Sequence, residues 1–411
     1  MQRRRVLVTG LGFVSPHGED PKDVFDCIYR GESAIRMMQS GTPELGADVL
    51  LAAIDFEPGE RIGKVDRHFM ARASQLAVVA TANALANADL LVDGRGPEDA
   101  AVSMGCGLGG SEILEENYRR YWTLQTRRAR PRTVPMIMAS GPASHISMRF
   151  GLRGPATTYS VACASSTIAI GEAFRSIRDG YVDVVVAGGA EAMLNDGAVA
   201  AWEAVGVMAS EHADGAGTSC RPFDLNRTGL VLGEGAATLI LESEERATAR
   251  GAEPLAEIVG FGASSDAFRL TEPSVEGQER AMRNALQDAD IAPEAVGYIN
   301  AHATGTSAGD PIEIEAVKRA FGPAARNLAI SSTKSMHGHL VGASGALECG
   351  IAVLALRERR IPPTAYLSAA DPECDLDCVP GVGRDAPDLE VALSNSFAFG
   401  GSNATLALRR A

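Results

Sequence analysis

The chain has 411 residues, enough for two ordinary domains or one large domain built from two halves. Its 45% apolar and 22% charged residues, with 44 glycines, describe a globular protein rich in tight turns and exclude a disordered one. A net charge of −14 argues against general nucleic-acid binding, and no apolar run approaches the ~20 residues a spanning helix needs.

The opening stretch, MQRRRVLVTGLGFVSPHG, places apolar residues after basic ones, as a signal peptide does. Its apolar part is short, glycine-broken and without a small-residue cleavage site, so it reads as a first strand and a turn. The expected location is therefore the cytoplasm. Gly10-Leu-Gly12 mimics a dinucleotide fingerprint, but the third glycine is missing and Pro16 sits where a helix should begin. A tight turn is the expectation there.

Strand-like runs then alternate with helical ones: VLVTGLG, AAVSMGCGLGG, VDVVVAGG, ATLILES, LAEIVGFG, AVGYINAHAT, NLAISS and VALSNSF. This alternation predicts an α/β fold with buried, largely parallel sheets. The Ala- and Gly-rich segments near residues 166–179 and 343–359 carry few charges, which predicts helices buried between two sheets. No internal repeat is evident. Seven scattered cysteines, an odd number, argue against a disulfide framework, and Cys374 and Cys378 lack the neighbouring histidines of a metal site.

The segment TTYSVACASSTIAIGEAFRSIRDG reads as a strand, a turn and a helix capped by Gly180, with Cys163 at or just before the helix N-terminus. There the helix dipole and free N–H groups favour a thiolate and could hold an oxyanion. Local geometry fits a buried structural cysteine equally well. Two further stretches shift the balance. YINAHATGTSAGDPIEIEAVKRAFG places His302 at a strand end, and SSTKSMHGHLVGASGALECG carries Lys334, His337 and His339 ahead of a long helix. A soft nucleophile and imidazoles at strand ends suit thioester chemistry. Near the C-terminus, SNSFAFGGSN offers a small-residue loop in which Phe397 and Phe399 flank Ala398, either a hairpin turn or a backbone close to a ligand.

Taken in order, VLVTGLGFVSPHG, ACASS, RPFDLNRTGLVLGEGAATLILES, NAHATGTSAGDPIE, STKSMHGHLVGASGALE and SNSFAFGG resemble the elongating β-ketoacyl-ACP synthases of the thiolase superfamily, closest to synthase II. The resemblance spans nearly the whole chain. It implies a five-layered αβαβα thiolase-like fold of two similar halves, residues 1–250 with the cysteine and 251–411 with the two histidines. It implies that Cys163 carries the acyl chain, and that His302 and His339 assist decarboxylation of malonyl-ACP and stabilise the enolate. Lys334 would support the site with Glu348 as ion-pair partner, and the N–H groups of Cys163 and Phe399 would form the oxyanion hole. Thr304 and Thr306 would bind the pantetheine arm, Leu108 would limit chain length, and Phe397, Ala398 and Phe399 would shape the acyl gate. No metal or organic cofactor is implied, since the pantetheine arm arrives on the carrier.

The implied partner is acyl carrier protein, a small acidic protein. YRRYWTLQTRRARPR, residues 118–132, has six arginines and no acid. Arg127, Arg128 and Arg130 are the docking expectation, with Lys64 and Arg67 beside them. The family implies a homodimer, with a heterodimer with a chain-length factor as the alternative. Ala398 stands where the family usually has glycine; were φ positive there, alanine would cost energy and stiffen the gate. Ala164-Ser165-Ser166 and Asp310-Pro311-Ile312-Glu313 look more like polyketide ketosynthases. Fatty-acid elongation and a type II polyketide or polyene ketosynthase subunit both stay open. A thiolase would need a second cysteine beyond Cys378, an initiating synthase would have asparagine in place of His339, and a papain-like protease has a different sequence around its cysteine. A chain-length factor would lack Cys163.

Overall fold

The computed structural model describes residues 3–40, 46–125 and 129–411. Ten strands form its main sheet: β1 (Val6–Val14), β2 (Ala101–Gly105), β3 (Ala156–Tyr159), β4 (Val184–Glu191), β5 (Gly235–Ser243), β6 (Ala256–Ser265), β7 (Tyr298–Asn300), β8 (Ala329–Ser331), β9 (Val391–Phe397) and β10 (Ser402–Arg409). Their order is β8-β7-β9-β10-β6-β1-β5-β4-β2-β3. Read from the middle outward, β6-β10-β9-β7-β8 repeats β1-β5-β4-β2-β3, so each strand corresponds to the one five places later. Directions repeat too. The pairs β2–β3 and β2–β4 are parallel, as are β7–β8 and β7–β9, while β4–β5 and β9–β10 are antiparallel. The halves meet in a short antiparallel pairing of Val6–Val8 with Ala256–Ile258.

The sheets are thus mixed, not largely parallel as the sequence suggested. The long connection from β4 to β5, which carries the helix Asp196–Val205, and the short hairpin from β9 to β10 both return the chain antiparallel, and the strand periodicity alone carries no sign of direction.

Helices α1 (Arg72–Asn87), α2 (Ser111–Thr123), α3 (Gly141–Phe150), α4 (Ser165–Arg178), α5 (Asp196–Val205), α6 (Val275–Ala289), α7 (Gly309–Phe321) and α8 (Ser344–Glu358) complete the layers. α1 packs on β1 and β5, and α6 packs on β6 and β10, forming the outer faces. α4 and α8 touch each other and strands of both halves. The result is five layers with α4 and α8 in the centre. Every residue from Ser344 to Leu356 is buried, as its scarcity of charge predicts, and Glu348 is the one charged side chain among them. All of the strand residues of β1, β4 and β5 are buried as well.

Gly10 and Gly12 do not form a turn. Both lie within β1, where a Cβ would meet Ala84 O at 2.5 Å and Ala80 O at 2.1 Å. The missing side chains let α1 approach the strand. Gly260 and Gly262 do the same in β6 beneath α6, meeting Ala285 O at 2.5 Å and Ala281 O at 2.1 Å. The fingerprint-like pair is a packing device, present once per half. All seven cysteines are free thiols. Among the described residues no helix is long and apolar enough to cross a membrane.

Candidate active site

The site lies where the ends of α4, α8, β7 and β9 converge. Ala162 adopts φ +48°, a left-handed conformation that turns the chain sharply from β3 into a short 3-10 turn over Ala162–Ala164. Ser165 braces this turn, its Oγ donating to Ala162 O (2.6 Å) and accepting from Val161 N–H (2.9 Å). Cys163 is thereby held at the start of α4 with 5% of its surface exposed. Val341, at φ +46°, opens the matching 3-10 turn ahead of α8, and Gly342 occupies the place that Cys163 has in the first half.

His339 Nε2 lies 3.0 Å from Cys163 Sγ, and its Nδ1 lies 2.8 Å from Ser344 Oγ. Its backbone is clamped on both sides: its N–H donates to Val231 O (2.7 Å) and its carbonyl accepts from Gly233 N–H (2.9 Å). The His302 ring stands edge-on to that of His339 at 5.4 Å. Glu313 on α7 accepts the N–H groups of His302 (3.0 Å) and Ala303 (2.7 Å). The ligating atoms of Cys163, His302 and His339 all fall within 4.8 Å of one another. By atom type such a trio could also hold a soft divalent ion.

Burial sets the protonation states. It pushes the Cys163 thiol up to about 12, against the downward pull of the Lys334 charge and of the N–H groups of Phe399 and Cys163 that face the sulfur. Burial holds His302 and His339 well below the ordinary imidazole value, and the nearby Lys334 charge adds to this, so both rings are neutral. Lys334 Nζ sits 2.5 Å from Glu348 Oε1, with both side chains inaccessible. Burial raises the Glu348 carboxyl while Lys334 pulls it down.

Most of the expected site residues converge. Thr304, Thr306, Phe397, Ala398 and Phe399 line the same cleft as Cys163, His302 and His339. Thr304 Oγ1 donates to Thr306 Oγ1 at 3.3 Å, and Phe399 stacks on Trp202. His337 stands apart, its nitrogens occupied by Gly338 O and Thr333 Oγ1.

Three expectations need correction. Leu108 does not line this cleft; it is 52% exposed and borders a separate groove with Trp122 and Ile137, because its turn is pulled toward Glu191, which accepts its N–H. Ala398 is not at positive φ; the left-handed residues are Gly400 (88°) and Gly401 (74°), so alanine carries no backbone penalty. The arginines of 118–132 do not all lack counter-charges. Arg119 pairs with Glu115 and Asp196, and Arg130 with Glu116, acids that lie outside the stretch. The stretch begins within α2, which runs to Thr123. Arg127 and Arg128 lie outside the described residues. Lys64 and Arg67 form a single helical turn, Lys64 exposed and Arg67 donating to Ile62 O.

Sequence reasoning missed several supports. Glu313 lies within the quoted DPIEIE run, but its aim at the His302 backbone has no sequence signal. Arg227, from RPFDLNRTG, donates to the carbonyls of Thr306 and Ser307 and so fixes the threonine loop from below. Glu191 accepts N–H groups from Gly107, Leu108 and Gly342, which ties the turn after β2 to the turn before α8.

Two family models, the N-terminal and C-terminal domains of β-ketoacyl synthase, match residues 3–247 and 255–368. The chain belongs to the β-ketoacyl synthase family. It is a condensing enzyme, an acyltransferase with the thiolase-like fold, as its sequence motifs implied. It is 44% identical to Nodulation protein E of Rhizobium sp. (strain N33) over 99% of both chains. It is 38% identical to 3-oxoacyl-[acyl-carrier-protein] synthase 2 of Staphylococcus aureus (strain N315), over 100% of this chain and 99% of that one. Among solved structures, the ishigamide ketosynthase/chain length factor superposes with a TM-score of 0.92 at 34% identity, covering 100% of both chains. Fatty-acid and ketosynthase relatives thus both stand among its matches.

Proposed function

We propose that the enzyme joins an acyl group held on Cys163 to a malonyl unit carried by acyl carrier protein. The Cys163 sulfur attacks the acyl-carrier thioester, the N–H groups of Cys163 and Phe399 hold the oxyanion, and the carrier leaves as a thiol bearing the cysteine's proton. Malonyl-carrier then binds along Thr304 and Thr306. The two neutral imidazoles of His302 and His339 hydrogen-bond its thioester oxygen as carbon dioxide departs, which stabilises the enolate. The enolate carbon attacks the acyl-Cys163 carbonyl, the sulfur leaves, and a 3-oxoacyl-carrier two carbons longer is released. Lys334 and Glu348 hold the site's charge from behind. Neither a metal nor an organic cofactor has a step in this scheme.

The observation that carries the reading is the meeting of Cys163 Sγ with the nitrogens of His302 and His339 within 4.8 Å. Decarboxylation of malonyl-ACP without a primer tests the division of labour. The expected outcome is that His302→Ala and His339→Ala lose it by ~10²–10⁴-fold while retaining acyl transfer, and that Cys163→Ala shows the reverse. Decarboxylation at the parent rate in both histidine variants would contradict the scheme.

Docking of the acidic carrier is proposed at Lys64, Arg67 and the arginines of 118–132, where Arg130 would exchange Glu116 for the partner's acids. A second copy is proposed to extend the sheet at β3, one of the two end strands in the order. The proposed location is the cytoplasm, where the carrier's pool would be available. A second reading, a condensing step for a specialised product, is favoured by the higher identity to Nodulation protein E than to synthase 2, and would allow a chain-length factor in place of the second copy.

A further inference from the structure

One side of the cleft is closed by α5, which is lightly held. Val199 is its single buried residue. Its start is pinned by Glu115, whose Oε2 accepts from Gly197 N–H (2.9 Å) and from Asn195 Nδ2. Its end is Gly206, left-handed at φ 76°. One aromatic side chain of this helix reaches the cleft. The Trp202 indole stacks on the Phe399 ring, with centroids 5.8 Å apart and planes inclined by 24°.

Phe399 is the residue whose N–H faces Cys163 Sγ, and it sits in a turn that ends in the two left-handed glycines Gly400 and Gly401. Around the rings the cleft wall is apolar, formed by Val207, Leu230 and Ala398. The stacked pair therefore stands at the entrance to the sulfur, between a lightly anchored helix and a turn able to swing.

We propose that Trp202 is a specificity-determining residue, the brace against which Phe399 closes the acyl site. An incoming acyl chain must part the two rings to reach Cys163. Each methylene of the chain brings apolar area that offsets the lost stack, and an acetyl group brings almost none. Straight acyl chains of medium length or longer then load in preference to acetyl. This inference rests on the reading of Cys163 as acyl carrier.

The chain's other tryptophan, Trp122, is 74% exposed, so Trp122→Phe leaves Trp202 as the sole indole reporter. In that background, intact mass and tryptophan emission are followed together on addition of acetyl-ACP or octanoyl-ACP. The expected result is an emission change that tracks the octanoyl adduct and is absent in Cys163→Ala. Trp202→Ala is expected to load acetyl about two- to tenfold better relative to octanoyl, the range a stacked aromatic pair is worth, and Trp202→Phe to keep the parent preference. Should Trp202→Ala fail to fold, Trp202→Phe and the single-indole emission still read the stack. An octanoyl adduct that forms with no emission change, or an unchanged acetyl-to-octanoyl ratio in Trp202→Ala, would overturn the brace and leave the acyl carrier intact. No adduct from either donor would overturn the acyl-carrier reading and the brace with it.

Discussion

At Cys163 the requirements of fold and chemistry oppose each other. A thiol with 5% of its surface exposed is held in its neutral form by burial, yet its chemistry needs the thiolate. The site answers with fixed groups that favour negative charge on sulfur: the Lys334 ammonium and the N–H groups of Phe399 and Cys163. His339 Nε2 lies 3.0 Å from the sulfur on a neutral ring, so it adds no positive charge beside the thiol. Because the thiol is raised, its thiolate fraction at neutral pH is small and grows as pH increases. Iodoacetamide alkylation of the resting enzyme, followed against pH, is expected to reach half its maximum above the ~8.5 of a free cysteine. Removing the Lys334 charge takes away a downward pull, so the midpoint should move further up. Lys334→Met combined with Glu348→Gln is the suitable variant, because removing Lys334 alone leaves a buried carboxylate that costs about 3–5 kcal/mol. The Glu348 charge removed with it pushes the thiol the other way but is the smaller influence, so the net move stays upward. At a given pH the rate should fall about tenfold for each pKa unit of that net shift. A parent midpoint below that of free cysteine, or a downward move in the double variant, would contradict this assignment.

Among the elements, the loop between β9 and β10 shows where sequence reasoning succeeds and where it stops. The phenylalanines and glycines of SNSFAFGG fitted either a hairpin turn or a backbone near a ligand, and the segment is both: it joins β9 to β10 as a hairpin, and Phe397, Ala398 and Phe399 line the cleft. The dihedral angles could not be read from residue type, and the positive φ falls at Gly400 and Gly401, not at Ala398. Ala398→Gly should therefore lower stability by about 0.5–1 kcal/mol by loosening the unfolded chain, whereas an alanine in a strained position would give the opposite sign. Thermal melting of the two proteins decides between these directions. Helices α4 and α8 were legible because a helix rich in small and apolar residues and poor in charge packs best in the interior. The turn at Leu108 was not, because Glu191 draws it in through N–H groups that leave no side-chain pattern.

Over the whole molecule, the alternation of strands and helices indicated the layers, and the ordered motifs indicated the family. The two similar halves followed only from the resemblance, since the side chains show no evident repeat, although the marks of the duplication are present. Gly10-Leu-Gly12 and Gly260-Phe-Gly262 are the same packing device, and Ala162-Cys163-Ala164 and Val341-Gly342-Ala343 are the same helix-opening turn. Side chains diverged while the backbone requirement stayed, so the repeat survives only where a glycine or a left-handed residue is needed. Strand direction was hidden for a related reason, since buried strands of either direction are uniformly apolar. The duplication explains the site: two equivalent turns open the two central helices face to face, one presenting Cys163 and the other following His339. On this mechanism the acyl group rides on that cysteine. Intact mass of the full chain after incubation with octanoyl-ACP, and again after malonyl-ACP is added, tests it most directly. The predicted result is one octanoyl adduct, absent in Cys163→Ala, that disappears as 3-oxodecanoyl-ACP forms. An adduct that persists in Cys163→Ala, or condensation that proceeds without one, would contradict it.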